Sequence, residues 1–232
     1  MIRRVFQAGE RQVTLDVRDD SSTHLVIREV FQDGVYAPVA GIAPPRVVLD
    51  IGGHIGLTSA FFRLVYPHAA IIAVEPDPSS FAILSGNAER IGNCRAFKLG
   101  LYERDAIAHF NAAQISVLSS LFPLQHEGVP STATQVRLRH AGAFADELSA
   151  QFALPGFDLI KIDTEGAELA ILGALGDRVA QANVIHLEFH SAADRRAIDD
   201  LLCRTHVLAR GRIDKPDLGT LTYVAKRLTS AT

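Results

Sequence analysis

Cysteine is scarce, with only Cys94 and Cys203 in 232 residues. Two thiols so far apart cannot build a disulfide framework and lack the close spacing of a zinc site, so both read as packed, reduced thiols. An excess of charge of one sign is missing too. Lysine and arginine number 23 against 26 aspartate and glutamate, a formal net charge of -3. No broad cationic field therefore exists to draw the chain onto phosphate backbones or anionic lipid, which disfavours bulk nucleic-acid and membrane-surface partners. No apolar run approaches the roughly 18 residues that span a bilayer. Between Met1 and Val13, where a secretory signal needs a continuous apolar stretch, Arg3, Arg4, Gln7, Glu10 and Arg11 interrupt the chain. A cytoplasmic location is the expectation.

Hydrophobic residues make up 48% of the chain and charged residues 21%, enough apolar surface for one large domain around a buried sheet. From Arg46 onward, short β-branched apolar runs alternate with helical stretches, the pattern of parallel strands joined by crossover helices. Strands are expected at Val47 to Ile51, Ala70 to Glu75, Arg95 to Leu99, Phe157 to Asp163 and Val184 to Phe189. Helices are expected at Leu57 to Leu64, Pro78 to Arg90, Ala167 to Leu175 and Ala192 to Leu202. Ala106 to Phe110 and Gln135 to Arg139 read as exposed strands, 112–134 as loop, and Thr205 to Ala209 with Leu221 to Ala225 as two last strands. The implied architecture is a Rossmann-like, doubly wound, mostly parallel α/β sheet over 46–232. Ahead of it, 1–45 reads as a β-rich extension ending at Ala43-Pro44-Pro45. Its alternating Val13 to Val17 run, the Asp19 to Ser22 turn cluster and His24 to Phe31 predict a small β-hairpin packed on the main sheet.

The strongest local motif is Asp50-Ile51-Gly52-Gly53-His54-Ile55-Gly56, at the turn from a buried strand into a helix. Gly52 and Gly53 permit a tight turn and close approach of a ligand, and Gly56 permits helix-to-strand packing. N–H groups at the helix start can hold a carboxylate or phosphate oxygen. The dinucleotide fingerprint is G-x-G-x-x-G, whereas this loop has D-x-G-G-x-x-G, with His54 at the place of the second glycine. A carboxylate at Asp50 repels pyrophosphate and attracts an ammonium group, so the loop suits S-adenosylmethionine better than NAD. Glu75 ends the second strand where an acid can accept hydrogen bonds from ribose hydroxyls, and Pro76 and Asp77 shape the adenine edge. An NAD-dependent oxidoreductase on the same sheet and a non-catalytic adenosyl-binding module remain the alternatives.

Ligands of doubly wound sheets sit outside the carboxyl ends of the strands, which brings Asp50, Glu75, Asp163, Glu165, Glu188 and His190 to one rim. Asp163 is placed to position an acceptor hydroxyl or to take its proton, with Glu165 beginning the next turn. Lys161 has the same strand parity as Asp163 and can hold it ionised. Lys161 and Glu168 also read as plain anchors of sheet and helix. His190 titrates near neutral pH, and Asp163, Glu188 and His190 supply donors that suit a divalent ion, although no metal site is assigned. His24, His68, His109, His126, His140, His186 and His206 have no spacing that marks a site.

Ile160-Lys161-Ile162-Asp163-Thr164-Glu165-Gly166-Ala167-Glu168 resembles the pattern of FkbM-type methyltransferases. Asp50 to Gly56, Val74-Glu75-Pro76 and Leu187-Glu188-Phe189-His190 are similar to the same family in its order, so the resemblance covers about Arg46 to His190. It implies a seven-stranded, Rossmann-like methyltransferase that acts on the oxygen of a sugar, polyketide or other small metabolite, with S-adenosylmethionine as cofactor. At His54 the family more often carries asparagine. Leu118-Ser119-Ser120-Leu121 is only weakly similar to a serine-bearing segment of the family. The strand end lacks the Asn-Pro-Pro-aromatic run with which amino-methylating relatives hold a planar nitrogen, which favours oxygen as acceptor. A small-molecule acceptor is the expected partner, and a homodimer is compatible with the sequence.

Overall fold

The computed structural model describes residues 1–112 and 132–229. The Leu118 to Leu121 segment, His126 and most of the expected 112–134 loop lie outside them.

Val47–Ile51 (β3) is buried at every position because it runs through the centre of the sheet with helices on both faces. Ala70–Val74 (β4) and Cys94–Phe97 (β5) pair parallel to one side of it. Leu159–Ile162 (β9) and Val184–Phe189 (β10) continue parallel on the other side. Leu218–Ala225 (β12) then pairs antiparallel to β10, and His206–Lys215 (β11) antiparallel to β12, closing the order β11-β12-β10-β9-β3-β4-β5. The chain leaves β3 toward β4 and later returns on the opposite side at β9, so the crevice at the carboxyl ends of β3, β4 and β9 is the switch point of the sheet. Gly100–Tyr102 (β6), Ala106–Ala112 (β7) and Thr132–His140 (β8) form a separate small sheet beside this end.

One face of the sheet carries Ala141–Phe152 (α4), Glu168–Leu175 (α5) and Ala192–Leu202 (α6), whose Phe144, Ile171 and Ile198 join a single apolar cluster with the strands. The other face carries Leu57–Val65 (α2) and Pro78–Ile91 (α3). Asp77 starts α3 by accepting the Ser80 N–H at 2.7 Å, and Pro78 stands in its first turn, where its missing N–H costs nothing.

The N-terminal hairpin exists, but its strands differ from those expected. Ile2–Ala8 (β1) pairs with Arg11–Val17 (β2) through a two-residue turn at Gly9-Glu10, with Gly9 at φ +59. The stretch expected as its second strand is helical instead: Ser21–Arg28 (α1) runs on into one π-helical turn, Glu29–Asp33. Asp20 accepts the Thr23 N–H at 2.8 Å, a capping bond that nucleates helix, and buried Thr23, Ile27 and Val30 recur at helical spacing. The hairpin packs on α2 and α3 more than on the sheet. Asn87 of α3 accepts the Asp16 N–H and donates back to the Asp16 carbonyl, each at 2.9 Å.

Helix α4 is a second departure. His140 caps it by accepting the Ala143 N–H at 3.1 Å, and Ala141, Phe144, Ala145 and Leu148 face the core at helical period. Both thiols are free, but only Cys94 is partly packed, with burial pushing it up to about 12; Cys203 is exposed at the end of α6. Among the described residues no helix is long and apolar enough to cross a membrane.

Candidate active site

The turn between β3 and α2 runs through three positive φ angles, Gly52 at +78, His54 at +48 and Gly56 at +92. Gly52 and Gly53 both donate to the Val74 carbonyl at 3.0 Å, which holds the turn against β4. A Cβ on Gly52 would lie 1.8 Å from the Asp163 carbonyl oxygen, so this glycine lets the turn close on the neighbouring strand end. Gly56 packs near Leu84 and Asn87, away from the cavity described below. His54 takes a left-handed conformation that histidine, like asparagine, tolerates better than most residues. Its N–H donates to Glu75 Oε2 at 2.8 Å. Its Nε2 lies 3.2 Å from Arg18 Nη1 and, facing an obligatory donor, acts as acceptor. Burial, helped by the Arg18 charge, pushes the imidazole down to about 4, so it is neutral at physiological pH.

Glu75 is buried at the end of β4, and its other oxygen, Oε1, accepts the Asp77 N–H at 2.8 Å. Burial pushes this carboxyl up to about 7 against the pull of those two N–H groups. A buried acid that keeps spare lone pairs beside a cavity suits paired hydroxyl donors.

Lys161, fully buried on β9, ties β3 to β9. Its Nζ donates to the Gly52 and Ile51 carbonyls at 2.7 and 3.3 Å, and lies 3.3 Å from Asp50 Oδ1 and 3.6 Å from Asp163 Oδ2. Burial works against this ammonium, yet the Asp50 and Asp163 carboxylates raise it overall. Burial likewise works against an ionised Asp163, but Lys161 and then His190 outweigh it and lower the carboxyl. Asp50 differs from expectation. It is fully buried, accepts the Ser59 hydroxyl at 2.6 Å and does not line the cavity, so no surface of it is open to a ligand's ammonium group. Its charge is spent on Lys161, which the sequence pairs only with Asp163.

Beyond β9 and β10 the acids crowd together. Glu188 is hydrogen-bonded to Asp163, and burial together with the Asp163 charge raises its carboxyl well above the ordinary range. The Tyr36 hydroxyl reaches Asp163 Oδ2 at 3.4 Å. His190 stands between two acids, Nε2 at 3.1 Å from Glu165 Oε2 and Nδ1 at 3.3 Å from Glu168 Oε1. Burial disfavours its charge, but Glu165 and Glu168 push it up to about 11. Glu168 is buried and accepts from the Thr164 N–H, the Thr164 hydroxyl and the Gly166 N–H at 2.9 to 3.1 Å, anchoring the turn into α5.

These groups wall one cavity of about 660 Å³. Gly52, Gly53, His54, Glu75, Pro76, Asp77, Lys161, Asp163, Glu165 and His190 all border it; of the sequence-derived candidates, Asp50 and Gly56 do not. Further wall comes from α1, Tyr36, Leu57 and Thr58 of α2, Gly100 and Leu101 of β6, and the facing ends of β11 and β12 with Arg212 and Thr220. Tyr36, Arg212 and the Arg18 behind His54 carry no motif and were not legible as site residues. His186 and His206 are buried packing residues, bonded to Thr222 and to the Ala182 carbonyl.

The profile of the Methyltransferase FkbM domain matches residues 50–211, more than half of the chain. The chain belongs to this family. It is 27% identical to the AMB antimetabolite synthetase AmbE of Pseudomonas aeruginosa, over 85% of this chain but 11% of that protein. It is 24% identical to the hexuronic acid methyltransferase AglP of Haloferax volcanii, over 67% of this chain and 61% of that protein. The chain thus spans a small part of the first relative and less than two thirds of the second. Among solved structures, Aeropyrum pernix fibrillarin with natively bound S-adenosyl-L-methionine superposes with a TM-score of 0.54 at 11% identity, covering 96% of this chain and 82% of that one. At that identity the likeness concerns the fold alone.

Proposed function

We propose that this protein is an S-adenosylmethionine-dependent methyltransferase that methylates a hydroxyl oxygen of a small molecule. The observation that carries the reading is that Glu75 and Asp163, on the two strands flanking β3, border the same cavity on either side of the glycine turn. Family membership and the missing dinucleotide glycine spacing support it over an oxidoreductase.

The residues present fit the cofactor. Glu75 would accept from the ribose hydroxyls with the lone pairs that His54 and Asp77 leave open. The first turn of α2, with Leu57 and Thr58 at the cavity wall, presents N–H groups for the carboxylate of an amino acid. When bound, the cofactor supplies a methyl group already activated on a positively charged sulfur. Asp163 then aligns the acceptor hydroxyl and takes its proton on a carboxylate oxygen, kept ionised until then by Lys161. Glu188, hydrogen-bonded to Asp163, orients it. The cavity volume falls in the range of about 300–1,000 Å³ usual for small-ligand sites, and AglP, named for a hexuronic acid, makes sugar acids the first acceptors to try.

Calorimetry with S-adenosylhomocysteine and with NAD tests the cofactor, and mass spectrometry after incubation with methyl-labelled cofactor and a panel of sugars and hydroxylated metabolites tests the transfer. Binding of the former ligand and label on an acceptor oxygen are expected, with Asp163→Asn lowering turnover about 100-fold while cofactor affinity changes little. NAD binding without S-adenosylhomocysteine binding overturns the reading, and label on nitrogen or carbon overturns the choice of acceptor atom.

A further inference from the structure

The geometry points to a divalent transition-metal site on the cavity wall, with Asp163, Glu165 and His190 as its ligands and Mn²⁺ as the ion its donors suit. One ligand atom from each residue lies within 4.8 Å of the other two. Around an ion with bonds of about 2.0–2.2 Å, ligands on opposite sides stand about 4.2 Å apart, so small side-chain rotations close the set. Two carboxylates and an imidazole favour Mn²⁺ or Zn²⁺ over Ca²⁺, which takes oxygen donors.

A second observation lies outside the cluster. Glu168 is buried behind His190, and its Oε1, fixed by three donors from 164–166, lies 3.3 Å from Nδ1 as an ion pair without hydrogen-bond geometry. A carboxylate beside one imidazole nitrogen favours the proton on that nitrogen and leaves the other for a metal, as happens behind metal-bound histidines. Here that other nitrogen is Nε2, the one beside Glu165. Asp163, Glu165 and Glu188 border the cavity with Glu168 behind them, and the cations beside these acids are Lys161, shared with buried Asp50, and the His190 imidazole. A bound ion takes the place of the imidazole's charge, since the ring gives up a proton to ligate it. Three protein ligands leave open positions toward the cavity, where acceptor oxygens bind and are polarised. That last role rests on the methyl-transfer reading, whereas ion binding does not.

Titration of the full chain with Mn²⁺, followed by loss of the free-ion electron paramagnetic resonance signal, tests the site, with Zn²⁺ and Mg²⁺ as competitors. One Mn²⁺ per chain is expected, displaced by Zn²⁺ more readily than by Mg²⁺. His190→Ala removes binding, and Glu168→Gln weakens it about 10- to 100-fold, while S-adenosylhomocysteine affinity in both variants shows that the fold is intact. Absence of Mn²⁺ and Zn²⁺ binding in a chain that still binds S-adenosylhomocysteine overturns the site and leaves the proposed function standing. So does Mn²⁺ binding that His190→Ala leaves unchanged. Failure to bind S-adenosylhomocysteine in the unaltered chain counts against the methyltransferase reading instead.

Discussion

Gly52 sits so close to the Asp163 backbone that a Cβ there would come 1.8 Å from the carbonyl oxygen. The glycine turn and the strand end at Asp163 are therefore one packed unit, further tied by Lys161 between the Gly52 carbonyl and the Asp163 carboxylate. A shift of either moves the other.

Gly52→Ala should accordingly disturb both halves of the site. The clash is with backbone, and the φ of +78 adds roughly 1–2 kcal/mol for any L residue. S-adenosylhomocysteine affinity should fall more than tenfold with a lowered melting temperature. In Gly56→Ala the close contact is the flexible Leu84 side chain at 3.2 Å, and the loss of affinity should be clearly smaller. Equal losses by calorimetry would contradict the packing account.

Cofactor binding should depend on pH through Glu75. Its carboxyl titrates at about 7 because burial outweighs the two N–H groups bonded to it. Ribose hydroxyls donate to the ionised form, so affinity should rise toward pH 7 by up to about tenfold per unit and level off above it. The stability contribution has the opposite sense: a folded value above the ordinary 4.5 favours the fold fully below pH 4.5 and is lost as pH rises through 7. Glu75→Gln should flatten both profiles and weaken binding about tenfold or more at pH 8.

Lys161 offers a test of the buried charges. Lys161→Met leaves Asp50 and Asp163 without their cation and should cost about 3–5 kcal/mol in urea unfolding. Adding Asp50→Asn should recover part of that loss, with a coupling of about 1–3 kcal/mol between the two sites. Simple additivity would mean that the pair at 3.3 Å is not what holds β3 to β9.

Arg18 links the N-terminal hairpin to the site, donating to Ser79 Oγ at 3.0 Å as well as facing His54. Arg18→Met should raise the His54 imidazole from about 4, yet leave it below 6.5, because burial is the larger cause of its depression. Ring resonances followed by NMR through the acid range report this. An unmoved titration would place the Arg18 charge too far away to act.

Much of the fold was legible because its determinants are local. The Gly52 to Gly56 turn, the Asp77-Pro78 helix start and the all-apolar β3 each lie within one strand, turn or helix, where spacing alone dictates conformation. Two departures were local as well: Asp20 capping α1 and the apolar period of α4 stand in the sequence, but the turn-like residues around Asp20 and the alternating strand before His140 masked them. Asp50 is a different case. A carboxylate at a strand end looks ligand-facing until the lysine directly across from it on the neighbouring strand, β9, claims it.

From its own order of residues the chain determines a parallel sheet, a glycine turn after its first central strand and acids at the strand ends, because these follow from short-range sterics and from the two-residue and 3.6-residue periods of apolar side chains. Which acids border the cavity, which serve a buried lysine, and that Tyr36, Arg212 and the β11–β12 turn close the cavity, only the tertiary structure decided. The reason is that solvation and charge pairing depend on what packs overhead, and those partners come from segments more than a hundred residues apart, as Tyr36 and Asp163 do.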